Sequence, residues 1–179
     1  AKFYDLLSDA LGEDVTVATG LEQLRRHADE RGVAYDPAIG AGKLAMELYS
    51  ELVEHKLIQP TFVYDFPAVA QPLARLHSED PRLVEAWDLI IGGVERGTGF
   101  SELIDPVVQR EVLTEQSLRA AGGDPEAMQL DEDFLRALEF GAPPMGGVGI
   151  GIDRVLMLLS DCGIRETILF PLLRPSKDK

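Results

Sequence analysis

The sequence predicts an α+β domain, an antiparallel sheet flanked by helices, from three observations. Apolar residues recur at helical spacing in several separate runs. Trp87 to Leu103 mixes β-formers with four glycines, which argues against a continuous helix and for two strands folded back on each other. The glycines near the C-terminus run through a strand instead of following it, with no βαβ pattern around them, so a dinucleotide-binding doubly wound sheet is excluded.

Taken in order, Phe3 to Leu11 and Leu21 to Arg31 are short helices stopped by Gly12 and Gly32. Lys43 to Leu57 places Leu44, Leu48, Leu52 and Val53 on one side, which predicts a longer amphipathic helix packed on a sheet. PTFVYDFP, bounded by Pro60 and Pro67, has the composition of a short strand at a sheet margin. Pro106 to Ala121 opens on a favoured first-turn proline, and Asp131 to Phe140 supplies another helix; both read as surface helices. GGVGIGI then reads as a strand running into the helix DRVLMLLS, capped by Asp153, and TILFPLL as a closing strand.

The 179 residues are 45% hydrophobic and 27% charged, and the mean hydropathy is near zero. That suits one soluble globular domain and excludes disorder. With 31 acidic residues against 17 basic, the formal charge is −14, and the acids are scattered, which argues against a broad phosphate-binding face. The single cysteine, Cys162, has no internal disulfide partner, and no stretch approaches the ~20 apolar residues that cross a bilayer, so a cytoplasmic protein without a membrane segment is expected. Ala1 to Leu7 lacks signal-peptide character, and a start at Ala1 without an initiator Met points to a processed, truncated or engineered beginning.

Chemistry concentrates in two places. Asp88, Glu95 and Glu102 are acids in an otherwise apolar, glycine-rich strand region, where carboxylates are costly unless they meet a metal, a cation or water. A two-residue turn at Gly92-Gly93 sets Ile90 opposite Glu95 and puts Asp88 and Glu95 on one face. Such a pair either binds a divalent cation, Mg²⁺ by its hard oxygen donors, or is simply solvated. A bulge around Thr98, between Gly97 and Gly99, would bring Glu102 to the same cleft, where it would select an amine. At the second place, Gly147, Gly149 and Gly151 bare one face for a flat ring, and Arg154 can stack on a base and bond a phosphate; alternatively the glycines only permit helix packing and Arg154 is a surface residue. His27, His55 and His77 have no zinc-like spacing, and Cys162 has no activating histidine.

GTGFSELIDPVVQR, DEDFLRALEFGAPPMGGVGIGIDRVLMLL and TILFPLLRP, with QPTFVYDFPAVAQPLAR upstream, closely resemble the C-terminal half of the catalytic domain of class II lysyl-tRNA synthetases, over nearly the whole chain. GIGIDR with the preceding GAPP is similar to motif 3 of that class, and SELIDPVVQR looks most like actinobacterial forms. The resemblance implies that Asp88 and Glu95 hold Mg²⁺ against ATP phosphates, that Gly151 and Arg154 contact ATP with Arg154 catalytic, and that Glu102 receives the lysine side-chain amine, with Thr98 beside the amino-acid carboxylate. Two departures stand out: Asp88 where many members have Glu, and Thr98 where many have Asn.

The same resemblance implies that 1–179 is the C-terminal part of the catalytic domain, without the OB-fold anticodon domain and motifs 1 and 2. The implied activity joins ATP and L-lysine into lysyl-adenylate and transfers lysine to tRNA(Lys), in a homodimer whose tRNA contacts lie largely outside this chain. That chemistry works by orientation and charge neutralisation, so it needs no enzyme nucleophile. Two other readings remain: a lysyltransferase-type paralogue serving a protein or a lipid, and a non-catalytic module that binds a nucleotide or amino acid.

Overall fold

The structure, a computed structural model, describes residues 1–123 and 127–172. Four antiparallel strands, β1 (Thr61–Tyr64), β2 (Ala86–Ile91), β3 (Val94–Ser101) and β4 (Gly146–Ile150), lie side by side in sequence order. Three helices precede the sheet: α1 (Phe3–Leu11), α2 (Leu21–Arg31) and α3 (Ala41–Leu52). Helices α4 (Pro106–Ala121) and α5 (Glu132–Glu139) sit between β3 and β4, and α6 (Ile152–Ser160) and the single turn α7 (Ile164–Thr167) follow β4. This is the expected α+β architecture, with β1 at the sheet margin as its two prolines required.

The core lies where α1–α3 cover one face of β1 and β2. Phe3, Leu7, Leu24, Leu44, Leu48 and Tyr49 from the helices meet Val63, Phe66, Ala86 and Ile90. Phe3 is its hub, with ring centroids 4.9 Å from Tyr49 and 5.3 Å from Phe66. Gly12 and Gly32 end α1 and α2 in the left-handed conformation, at φ 70° and 69°. Helices α4 and α5 pack together through Leu113, Leu135 and Leu138 and so are less superficial than expected. Asp105 and Asp131 cap them, each accepting from backbone N–H groups of the first turn.

Four expectations are corrected. The helix foreseen over Lys43 to Leu57 ends at Leu52; Val53 is its C-cap, with φ widened to −118°, and Glu54–Lys56 form one 3₁₀ turn. Asp153 does not cap α6: the helix starts at Ile152 with Gly151 as N-cap, so Asp153 falls inside the first turn, where its charge still favours the helix dipole. The bulge lies at Arg96 and not around Thr98, because it is there that the pairing shifts register. The strand expected over 167–173 is absent from its described part: Thr167 closes α7, and 168–172 pair with nothing. Pro171 has no N–H to offer a ladder, and Leu169, Phe170 and Leu172 stand almost wholly exposed. Leu173 lies outside the described residues.

Candidate functional site

The hairpin of β2 and β3 sets the site. Gly92 and Gly93 take φ of 65° and 70°, which a two-residue hairpin loop demands and which side chains resist. Their N–H groups donate to the carbonyls of Ile58 (2.9 Å) and Leu57 (3.0 Å), so the segment after α3 clamps the turn. Ile90 pairs with Glu95, and across three strands Asp88 pairs with Thr98 and Thr98 with Gly149. Directly paired residues share a face, so Asp88, Thr98 and Gly149 form one row.

From Ala86 to Leu89 the pairing with β3 is regular; between Leu89 and Ile90 it shifts by one, leaving Arg96 without a partner on β2. Glu95 and Thr98 are three residues apart and would face opposite sides of an unbroken strand. The extra residue at Arg96 returns Glu95 to the face of Asp88 and Thr98. Glu102 lies on this face too, just past the end of β3: a Cβ built on Gly147 would stand 2.6 Å from its Oε1. Val63 pairs with Asp88, so the acids share the face whose other half is covered by α1–α3.

Arg154, in the first turn of α6, reaches back over β3. Its Nη1 donates to the Glu95 carbonyl at 3.0 Å and lies 3.7 Å from Glu95 Oε1. Gly151 makes room for that reach, since a Cβ there would touch Arg154 Cδ at 3.3 Å. Asp88, Glu95, Thr98, Glu102, Gly151 and Arg154 thus lie around the sheet face of β2–β4 and the start of α6.

The electrostatics mark Asp88. Burial, reinforced by Glu95 and Glu54, pushes its carboxyl up to about 6, while a hydrogen bond with Thr98 pulls the other way. Burial and the neighbouring acids both disfavour the charged form of Asp88, a perturbation that marks a candidate site. Among the described residues, no group of three or more His, Cys, Asp or Glu side chains is placed to hold a metal by itself.

The chain matches the family of class II tRNA synthetases (D, K and N) over residues 13–174. It belongs to this family. Membership agrees with the α+β fold. Among its relatives is the lysylphosphatidylglycerol biosynthesis bifunctional protein LysX of Mycobacterium ulcerans (strain Agy99), 54% identical over 172 residues, which are 96% of this chain and 16% of that protein. LysX of Mycobacterium tuberculosis (strain ATCC 25618 / H37Rv) is 54% identical over 96% of this chain and 15% of its own length. LysX of Mycolicibacterium gilvum (strain PYR-GCK) is 53% identical over 94% of this chain and 15% of its own. The chain therefore spans about a sixth of the length of these relatives. No helix among the described residues is long and apolar enough to cross a membrane.

Three residues close to this group escaped the sequence reading. Glu54, in the 3₁₀ turn, is pushed up by burial and by Glu95. Tyr49 has a buried hydroxyl without a partner among the described residues, and burial, then Glu54 and Asp88, hold the phenol protonated. Arg96 is 8% exposed and binds backbone carbonyls. The two from the α3 region are brought in by contacts more than thirty positions along the chain, for which helical spacing carries no signal.

Proposed function

We propose that this chain is part of a lysine-activating domain whose lysyl product serves lysylphosphatidylglycerol formation in the parent protein. The observation that carries the activation chemistry is the gathering of Glu102, the Asp88–Thr98–Gly149 row and the Arg154–Glu95 contact on one sheet face. The destination of the lysyl group is supported by relatives at 53–54% identity that bear the name of lysylphosphatidylglycerol biosynthesis.

In this reading a lysine carboxylate oxygen attacks the α-phosphorus of ATP, the α–β anhydride bond breaks, and pyrophosphate leaves. The terminal hydroxyl of tRNA(Lys) then takes the lysyl group and AMP departs. Glu102 receives the lysine ammonium by charge-assisted hydrogen bonding. Thr98 lies beside the amino-acid carboxylate, and Gly149 and Gly151 leave the face bare for the adenine. Arg154 offsets phosphate charge as it builds up. Asp88 and Glu95 are the residues that would hold Mg²⁺, which would offset the charge of the ATP phosphates. Residues 1–179 form the C-terminal portion of the catalytic domain in this proposal, with tRNA contacts and the homodimer interface supplied largely by other parts of the protein.

The test uses the full-length parent protein. Lysine-dependent ATP–pyrophosphate exchange, followed by lysylation of tRNA(Lys) and recovery of labelled lysine in phosphatidylglycerol vesicles, is the expected series. Exchange and tRNA lysylation without lipid labelling point instead to an ordinary lysine–tRNA ligase, a reading favoured by the lysine branch in the family's description. Absence of lysine-dependent exchange leaves a binding module.

A further inference from the structure

We infer that Arg96 is a positioning residue that sets Arg154 over the nucleotide site. The inference deepens the lysine-activation reading and rests on it. Arg96 is the extra residue of the β3 bulge. Its side chain is directed not to solvent but to two carbonyls: Nε donates to Ile91 at 3.1 Å and Nη1 to Arg154 at 2.7 Å. Its own carbonyl accepts from the Gly151 N–H at 2.9 Å.

These contacts close a circuit between β3 and α6. The Arg154 side chain bonds the Glu95 backbone, the Arg96 side chain bonds the Arg154 backbone, and the N-cap of α6 bonds the Arg96 backbone. A guanidinium held at 8% exposure by backbone carbonyls is a costly choice for plain packing, which an apolar side chain would serve at lower desolvation cost. What the guanidinium adds is a planar fork that spans two elements, a geometry that lysine does not reproduce. The anchored group is the backbone of the residue whose side chain faces the site, so Arg96 acts through Arg154 and touches no substrate itself.

The full-length parent protein carrying Arg96→Met, Arg96→Lys, Arg154→Ala or Arg96→Met with Arg154→Ala tests this. ATP binding is measured with Mg²⁺ by calorimetry, and lysine-dependent pyrophosphate exchange gives the KM for each substrate. Arg96→Met should weaken ATP about tenfold, with the lysine KM within about twofold, and Arg96→Lys should recover part of the loss. In the double variant ATP should bind no more weakly than in Arg154→Ala alone. ATP binding unmoved by Arg96→Met, or losses that multiply in the double variant, overturn the inference. If Arg96→Met does not fold by its melting profile, Arg96→Lys decides: unchanged ATP affinity there overturns it. A wild-type protein that binds ATP without lysine-dependent exchange overturns the proposed function alone, and one that binds no ATP overturns both.

Discussion

Arg154 donates from Nη1 to the main-chain carbonyl of Glu95 at 3.0 Å, while the Glu95 carboxylate stays 3.7 Å away. The arginine is thus held by the backbone of an acid instead of being consumed by its charge, and half of its side chain remains open to solvent. Arg154→Ala should weaken ATP binding by about 10- to 100-fold, the worth of a hydrogen bond to a charged group, with lysine affinity little changed. Calorimetric titration with ATP in the parent protein checks this, and unchanged affinity would remove Arg154 from the nucleotide site.

Glu102→Gln keeps the shape of the side chain and deletes the charge that an ammonium requires. The expected outcome is a rise of at least about tenfold in the lysine KM with the ATP KM held within about twofold. Steady-state exchange kinetics against both substrates separate the two, and equal kinetics to wild type for lysine would exclude Glu102 from the amine pocket.

Two glycines of the sheet should respond differently to alanine. At Gly147 the new Cβ meets Glu102 Oε1 at 2.6 Å, the far end of a flexible side chain, so the carboxylate swings aside. Stability should barely move while lysine affinity falls. At Gly99 the Cβ meets the Trp87 ring and, at 2.9 Å, the Gly147 carbonyl, neither of which can swing away. That variant should lose about 1–3 kcal/mol of stability by overpacking. Thermal melts alongside lysine binding distinguish the two patterns.

Asp88 gives a pH dependence whose sign follows from its environment. Burial raises its carboxyl from 3.8 to about 6, so the folded chain keeps a proton that the unfolded chain has released. Its contribution to stability is full below about pH 4 and is lost as the pH rises through about 6. Asp88→Asn removes that loss, and the variant's melting temperature should gain on wild type steadily between about pH 4 and pH 7. A difference that is flat or shrinks across this window counts against the assignment.

The parts of the fold written in local chemistry were readable. Gly92 and Gly93 fix a two-residue turn, the turn fixes Ile90 opposite Glu95, and the alternation of a strand then places Asp88. Gly12, Gly32 and Pro106 mark helix ends because backbone geometry at those positions depends on one residue. What escaped was set by distant contacts. The break at Val53 accompanies a clamp between residues 57–58 and the hairpin turn, which helical spacing in 43–57 gives no reason to expect. TILFPLL has the composition of a strand, yet a strand exists only against a partner, and the described residues supply none. The bulge was expected at the glycines and falls instead on Arg96, whose guanidinium gains two carbonyls across elements by leaving the ladder.

That single unpaired residue gives β3 something like a reading frame. Glu95 and Gly97 take consecutive places opposite Ile90 and Leu89, so Arg96 stands outside the count and the alternation of faces follows the ladder instead of the chain. Substitution at the position tests the arginine; deletion would test the count. Removing residue 96 would set Glu95 next to Gly97 and leave it on the face of Asp88 and Thr98, whereas one further paired residue here would turn Glu95 to the far side of the sheet while every letter of the motif stayed the same.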